Sequence, residues 1–268
     1  MFFLMASRLR KARKAYKTGD LEEAKKAHTK KVIQHEESEV GAGRYIKDYV
    51  YGALDGIITT FAVVSGVTGA SLTATIILIL GFANLLGDGI SMSIGNYLGT
   101  KSEMDYYNKE RDRESWEVDN YPEGETEEIR QIYMKKGFTG KDLEAAVKVI
   151  TSDRKLWIDE MMKEELKLMK EEKSPRVAAA ATFLAFVIAG FIPLVSYVAS
   201  LSFPIIVPFS FEIAVVLTAI TIFMVGSARS LIIDKKWYMA GLEMLLVGGA
   251  AAVAAFYIGF FVSGLVGI

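Results

Sequence analysis

The chain has 268 residues, 51% of them hydrophobic and 24% charged, with a formal net charge of -1 and no cysteine. The missing cysteines exclude disulfides, thiolate metal sites and a Cys nucleophile, and a near-neutral charge with acids and bases intermixed singles out no partner. So much apolar sequence beside so much charge implies two populations of sequence rather than one averaged globule.

The 31 Lys and Arg residues fall in three blocks, 12 between Arg8 and Lys47, 16 between Lys101 and Arg176, and 3 between Arg229 and Lys236. Between them lie apolar runs near 49–69, 72–98, 177–202, 211–228 and 237–266, each close to or above the roughly 20 residues a helix needs to span hydrocarbon. The expected fold is all-α, with five transmembrane helices. Basic residues near span ends stay inside, so all three blocks are expected to be cytoplasmic, the amino terminus inside and the carboxyl terminus on the far side. The opening Met1–Ala6 is too short, and on the wrong side of the basic block, for a secretory signal. The division that follows is a cytoplasmic helical arm over 1–48, two spans within 49–100, a cytoplasmic helical domain over 101–175, and three spans within 176–268.

In the arm, Asp20 and Glu23 stand at capping-box spacing after the breaker Gly19. Both histidines, His28 and His35, are here, neither with a Glu three residues before it, so a di-iron Glu-x-x-His pair is missing. In the first span Asp55 lies between Gly52 and Gly56, a small-x-x-x-small pair at which another helix can approach closely. A carboxylate at membrane depth is costly and marks a functional position by default; helix-to-helix hydrogen bonding is the plainer alternative. Thr59, one turn on, offers a further oxygen.

The second span sets Asn84, Asp88, Met92 and Asn96 four residues apart in one stripe, beside a smooth stripe of Gly87, Ser91, Gly95 and Gly99. A polar ladder beside a packing seam suggests a lined pathway at a helix interface. Met92 alone is ordinary core filler, but a thioether in line with a carboxylate favours a transition metal over Mg2+ or Ca2+.

From Lys101 to Lys173 three helical patches are expected, separated by the turn Asn120-Tyr-Pro-Glu-Gly124 and the break from Gly137 to Gly140. The first continues the second span through Glu114 and Glu117, the second carries Glu125 and Glu128, and the last carries Met161, Met162 and Glu165. Each set shares a helix face. Taken singly, each acid reads as solvated surface charge. In the remaining spans Pro193 is expected to kink the third, Pro204 and Pro208 to shape the outer connection, and Glu243 to pair with Arg229 between helices.

Together these residues resemble the vacuolar iron transporter family, which has plant, fungal, protist and prokaryotic members. The resemblance covers about residues 35–268 and is carried by Asp55-Gly56, Ile90-Ser91-Met92, Gly95-Asn-Tyr-Leu98, Lys101-Ser-Glu103, Asp105-Tyr-Tyr107, Trp157 and Met161-Met162-x-x-Glu165. It implies a homodimer of five-helix protomers, with an ion path between subunits and a cytoplasmic three-helix metal-binding domain between spans two and three. By position, Asp55 and Met92 match the family's membrane metal ligands, and Glu114, Glu117, Glu125, Glu128, Met161, Met162 and Glu165 its cytoplasmic metal positions. The sequence departs from the family at Asn84, where relatives carry Glu; Asp88 lies one turn later.

The expected activity is Fe2+ export from the cytoplasm in exchange for protons, with Mn2+, Zn2+ and Co2+ as further candidate ions, because oxygen and thioether donors do not single out iron. No cofactor and no nucleic acid is expected; the partners are a second copy, divalent ions and the bilayer. The membrane is the plasma membrane in a prokaryote and the vacuolar membrane in a eukaryote. A membrane-anchored metal buffer or sensor is the alternative, predicting binding without flux. An enzyme is disfavoured, since no nucleophile-and-base arrangement is present.

Overall fold

The computed structural model describes residues 15–27, 43–170, 173–230 and 235–267. His28 and His35 lie outside them. Among the described residues every regular element is a helix: α1 (Leu21–Ala27), α2 (Ile46–Gly69), α3 (Ala74–Asn120), α4 (Pro122–Lys135), α5 (Gly140–Thr151), α6 (Arg154–Glu164), α7 (Pro175–Phe191), α8 (Val195–Ser200), α9 (Ser210–Arg229) and α10 (Trp237–Val266). Short 3-10 turns cover Gly43–Tyr45, Ile192–Leu194 and Pro204–Phe209. Asp20 caps α1 as expected, its Oδ1 accepting from the backbone N–H groups of Glu22 and Glu23.

Five stretches are long and apolar enough to cross a membrane: Ile46–Gly69, Ala74–Asn120, Pro175–Ser200, Pro204–Arg229 and Trp237–Val266. The protein is a multi-pass integral membrane protein. Hydrocarbon offers no hydrogen-bond partner, so each crossing segment must satisfy its backbone internally, and a helix does so. The third span bends where Pro193 breaks the ladder, passing through the Ile192–Leu194 turn before the helix resumes as α8.

The first span, α2, is the central post, in contact with α3, α7, α9 and α10. Lipid supplies no hydrophobic drive for helix association, so close van der Waals approach must, and small residues make it possible. Gly52 and Gly56 press directly on the backbone carbonyls of Thr182 and Phe186 in α7, where a Cβ would collide. On another side Gly259 of α10 abuts the carbonyl of Gly66. Phe61, Val64, Ile77, Leu85, Phe186 and Leu194 fill the space between these helices.

The second span does not stop at the membrane boundary. At about 1.5 Å per residue the 47 residues of α3 extend about 70 Å, more than twice the hydrocarbon thickness. Its distal part joins α4, α5 and α6 in a separate module with its own core of Val118, Ile129, Leu143, Val147, Ile150, Trp157 and Ile158, together with the two methionines Met161 and Met162. The breaks at Asn120–Tyr121 and Gly137–Gly140 fall where the turn residues placed them; Gly137 adopts φ +95, which side-chain-bearing residues resist. One break was not read from the sequence. The last patch is two helices, because Asp153 accepts from the N–H groups of Lys155 and Leu156 and starts α6 afresh.

Candidate metal path and acidic cluster

The membrane candidates occupy facing parts of α2 and α3. Asp55 is half-buried, Asp88 is exposed on the protomer surface, and the two carboxylates are near enough for their charges to interact. The Thr59 hydroxyl donates to the Asp55 carbonyl at 2.8 Å, which fixes its rotamer and leaves its oxygen able to accept or ligate. Asn84 is half-buried, its amide nitrogen enclosed without a protein partner. Met92 packs along the margin of the apolar core around Leu85 and Phe186.

The fourth member of that stripe behaves differently. Asn96 donates to Asp48 Oδ1 (2.9 Å), to Thr182 Oγ1 (2.7 Å) and to the Ala178 carbonyl (3.3 Å), so it belongs to a packed polar network and not to an open ladder. The smooth stripe is uncovered within the protomer: Gly87, Ser91, Gly95 and Gly99 are exposed, and a Cβ on any of the three glycines would meet nothing within 4 Å.

In the module, three carboxylates from two helices converge. Oxygens of Glu114 and Glu117 on α3 and Glu125 on α4 lie within 4.8 Å of one another. Glu114 is only 1% exposed and Glu125 5%, and each keeps one carboxylate oxygen enclosed without a hydrogen-bond partner. Glu165, just past the end of α6, and Glu128 on α4 complete the group; both act electrostatically on the others and hydrogen-bond each other. Burial first, then the charges of Glu128 and Glu114, pushes the Glu125 carboxyl up to about 7. Burial and the nearby Glu114 and Glu128 push Glu165 up to about 7 as well. Five acids at one place, two of them with an orphaned oxygen, are a poor structural core and a good cation receptor, because a divalent ion would relieve both repulsion and lost hydration.

Met161 and Met162 are 0% and 1% exposed, packed with Trp157 and Ile158 in the module core; the backbone N–H of Glu165 bonds back to the Met161 carbonyl. The thioethers thus begin as interior side chains on the segment that delivers Glu165. Sequence reading missed Arg113, whose guanidinium pairs with Glu110, Glu114 and Glu117 along the edge of the cluster. The i, i+3 and i, i+4 spacing of Glu110, Arg113 and Glu117 is the available clue. It also missed the ion pair between Asp48 and Lys173, for which no local spacing gives notice. Glu243 meets Arg229 at 3.7 Å as expected, and Lys235 at 3.1 Å.

The sequence profile of the VIT family matches residues 46–260. A protein named vacuolar iron transporter from Toxoplasma gondii (strain ATCC 50861 / VEG) is 34% identical over 263 residues, covering 94% of this chain and 87% of its own length. One of the same name from Plasmodium berghei (strain Anka) is 35% identical, covering 92% of this chain and 94% of its own length. Vacuolar iron transporter 1 of Arabidopsis thaliana is 31% identical over 83% of this chain and 88% of its own. The matched region runs from the first residue of α2 to within α10, taking in both carboxylate sites, and the chain belongs to the VIT family.

Proposed function

We propose that the protein carries Fe2+ out of the cytoplasm in exchange for protons, as a homodimer whose ion path runs between the two copies of α2 and α3. The observation that carries this reading is that Glu125, Glu128 and Glu165 converge on Glu114 and Glu117, which stand on the same continuous helix as Asp88 and Met92, opposite Asp55. The names of the relatives support iron as the cargo.

A divalent ion cannot enter hydrocarbon bare, so protein donors must replace its water step by step. The module acids gather ions from the cytoplasm, with Met161 and Met162 as soft donors beneath them. Asp55 receives the ion in the membrane, Met92 biases the site toward transition metals, and Asp88 with the Asn84 carboxamide oxygen completes the shell. When the ion leaves, Asp55 accepts a proton, and this alternation couples the two fluxes. The uncovered stripe of Gly87, Ser91, Gly95 and Gly99 supports the dimer, since small residues in lipid allow a second helix to approach. The amino terminus and the module lie in the cytoplasm, with the carboxyl terminus across the membrane.

Proteoliposome uptake tests this. Asp55→Ala abolishes Fe2+ flux under a pH gradient while Fe2+ binding to the module persists. Flux at the unmodified rate removes Asp55 from the path; binding without any flux in the unmodified protein identifies a buffer instead. Competition by Mn2+, Zn2+ and Co2+ ranks the ions.

A further inference from the structure

Among the described residues, the one buried acid that neither the path nor the cluster uses is Asp48. It is 5% exposed and sits two turns from Asp55 on the same face of α2, toward the module. The Lys173 ammonium, itself only 12% exposed at its side chain, approaches both carboxylate oxygens at 2.8 Å. Asn96 donates to the same Oδ1 and ties it to the Thr182 hydroxyl and the Ala178 carbonyl, while the Thr100 hydroxyl donates to Asn96 Oδ1 at 3.4 Å. One residue along, the Ser174 N–H donates to the Tyr45 hydroxyl at 2.9 Å. Four pieces of chain therefore meet at Asp48: the start of α2, the middle of α3, the start of α7, and the segment returning from the module.

That returning segment is the module's second attachment. The first is α3, a rod that projects about 30 Å beyond residue 100, where a bend of about 5° displaces its tip by about 3 Å. Acids that must pass an ion to Asp55 cannot drift that far. A buried ion pair is a poor source of net stability against an apolar replacement, but its fixed geometry defines a position.

We infer that Lys173 and Asp48 form a positioning latch, which holds the returning chain, and so the acidic cluster, in register with the Asp55 face of α2. This inference rests on the transport reading above. Neither residue touches the ion; both act by placing groups that do.

The test uses the full-length protein with Lys173→Met, Asp48→Asn and the charge-keeping Lys173→Arg. Fe2+ flux in proteoliposomes is measured across metal concentrations, beside Co2+ titration and thermal melting of the same preparations. The latch predicts that Lys173→Met and Asp48→Asn each lower maximal flux about tenfold, with Co2+ stoichiometry and half-saturation within about twofold of the unmodified protein. Lys173→Arg retains at least about half the flux. Unmodified flux in Lys173→Met overturns the latch, as does Lys173→Arg failing like Lys173→Met, or flux loss that tracks lost Co2+ binding and lost melting cooperativity. Asp55→Ala run in parallel separates the two ideas: its retained flux overturns the transport reading, whereas its lost flux beside a fully active Lys173→Met overturns only the latch.

Discussion

Glu125 and Glu165 illustrate what single residues decide here. Both are pushed up to about 7 from 4.5, chiefly by burial and then by neighbouring carboxylates, so the folded module holds protons that the unfolded chain releases well below neutral pH. Their stabilising contribution is complete below about 4.5 and is lost as pH rises through about 7, because the ionised acids then repel without water to screen them. With chelator present, the melting temperature of the protein is expected to be several degrees lower at pH 8 than at pH 6. Added Co2+ raises it more at pH 8, where the ligands are already deprotonated. Tryptophan fluorescence at the module, where Trp157 is buried, reads the transition; a melting temperature rising from pH 6 to 8 without metal counts against a crowded acid cluster. The acids were legible in the sequence by their paired spacing, yet nothing local separated them from solvated glutamates such as Glu127 and Glu144, which the structure shows held outward by Arg130.

At the scale of the element, the two glycine faces carry opposite expectations. The Gly52 and Gly56 face of α2 is spent on the backbone of α7, so Gly56→Leu forces the central helices apart and is expected to abolish recovery of folded protein. The Gly87 and Gly95 face of α3 meets nothing inside the protomer, so Gly87→Leu leaves the monomer fold and its Co2+ binding intact. If that face is the seam between copies, the same substitution converts dimer to monomer in mild detergent, read by light scattering coupled to size exclusion. A dimer unaffected by Gly87→Leu places the seam elsewhere. Both faces were visible as small-residue spacing; which neighbour each meets depends on packing that spacing does not encode.

For the whole molecule, α3 is the connection that matters, since one uninterrupted helix carries Asn84, Asp88 and Met92 at one end and Glu114 and Glu117 at the other. Met104 lies between them. Met104→Pro removes a ladder hydrogen bond and kinks the rod, and is expected to cut Fe2+ flux at least about tenfold while leaving Co2+ binding to the module near normal. Equal flux in the kinked protein would mean that collection and crossing are independent events. The surface ion pairs that brace the rod against α6, Arg111 with Asp159 and Arg154 with Asp119, are screened by water and do not replace its continuity.

The amino-acid sequence by itself determined the number of spans, the continuation of the second into a charged module, and the residue types available to hold a metal. It could do so because hydrocarbon forces long apolar helices and because breakers such as Pro122 and Gly137 act locally. Only the tertiary structure decided that Asn96 serves a packed network, that Arg113 edges the acid cluster, and that Lys173 reaches Asp48 from 125 residues away. Such pairings arise from which helices pack together, and helical periodicity records the face a side chain occupies without naming what lies across from it.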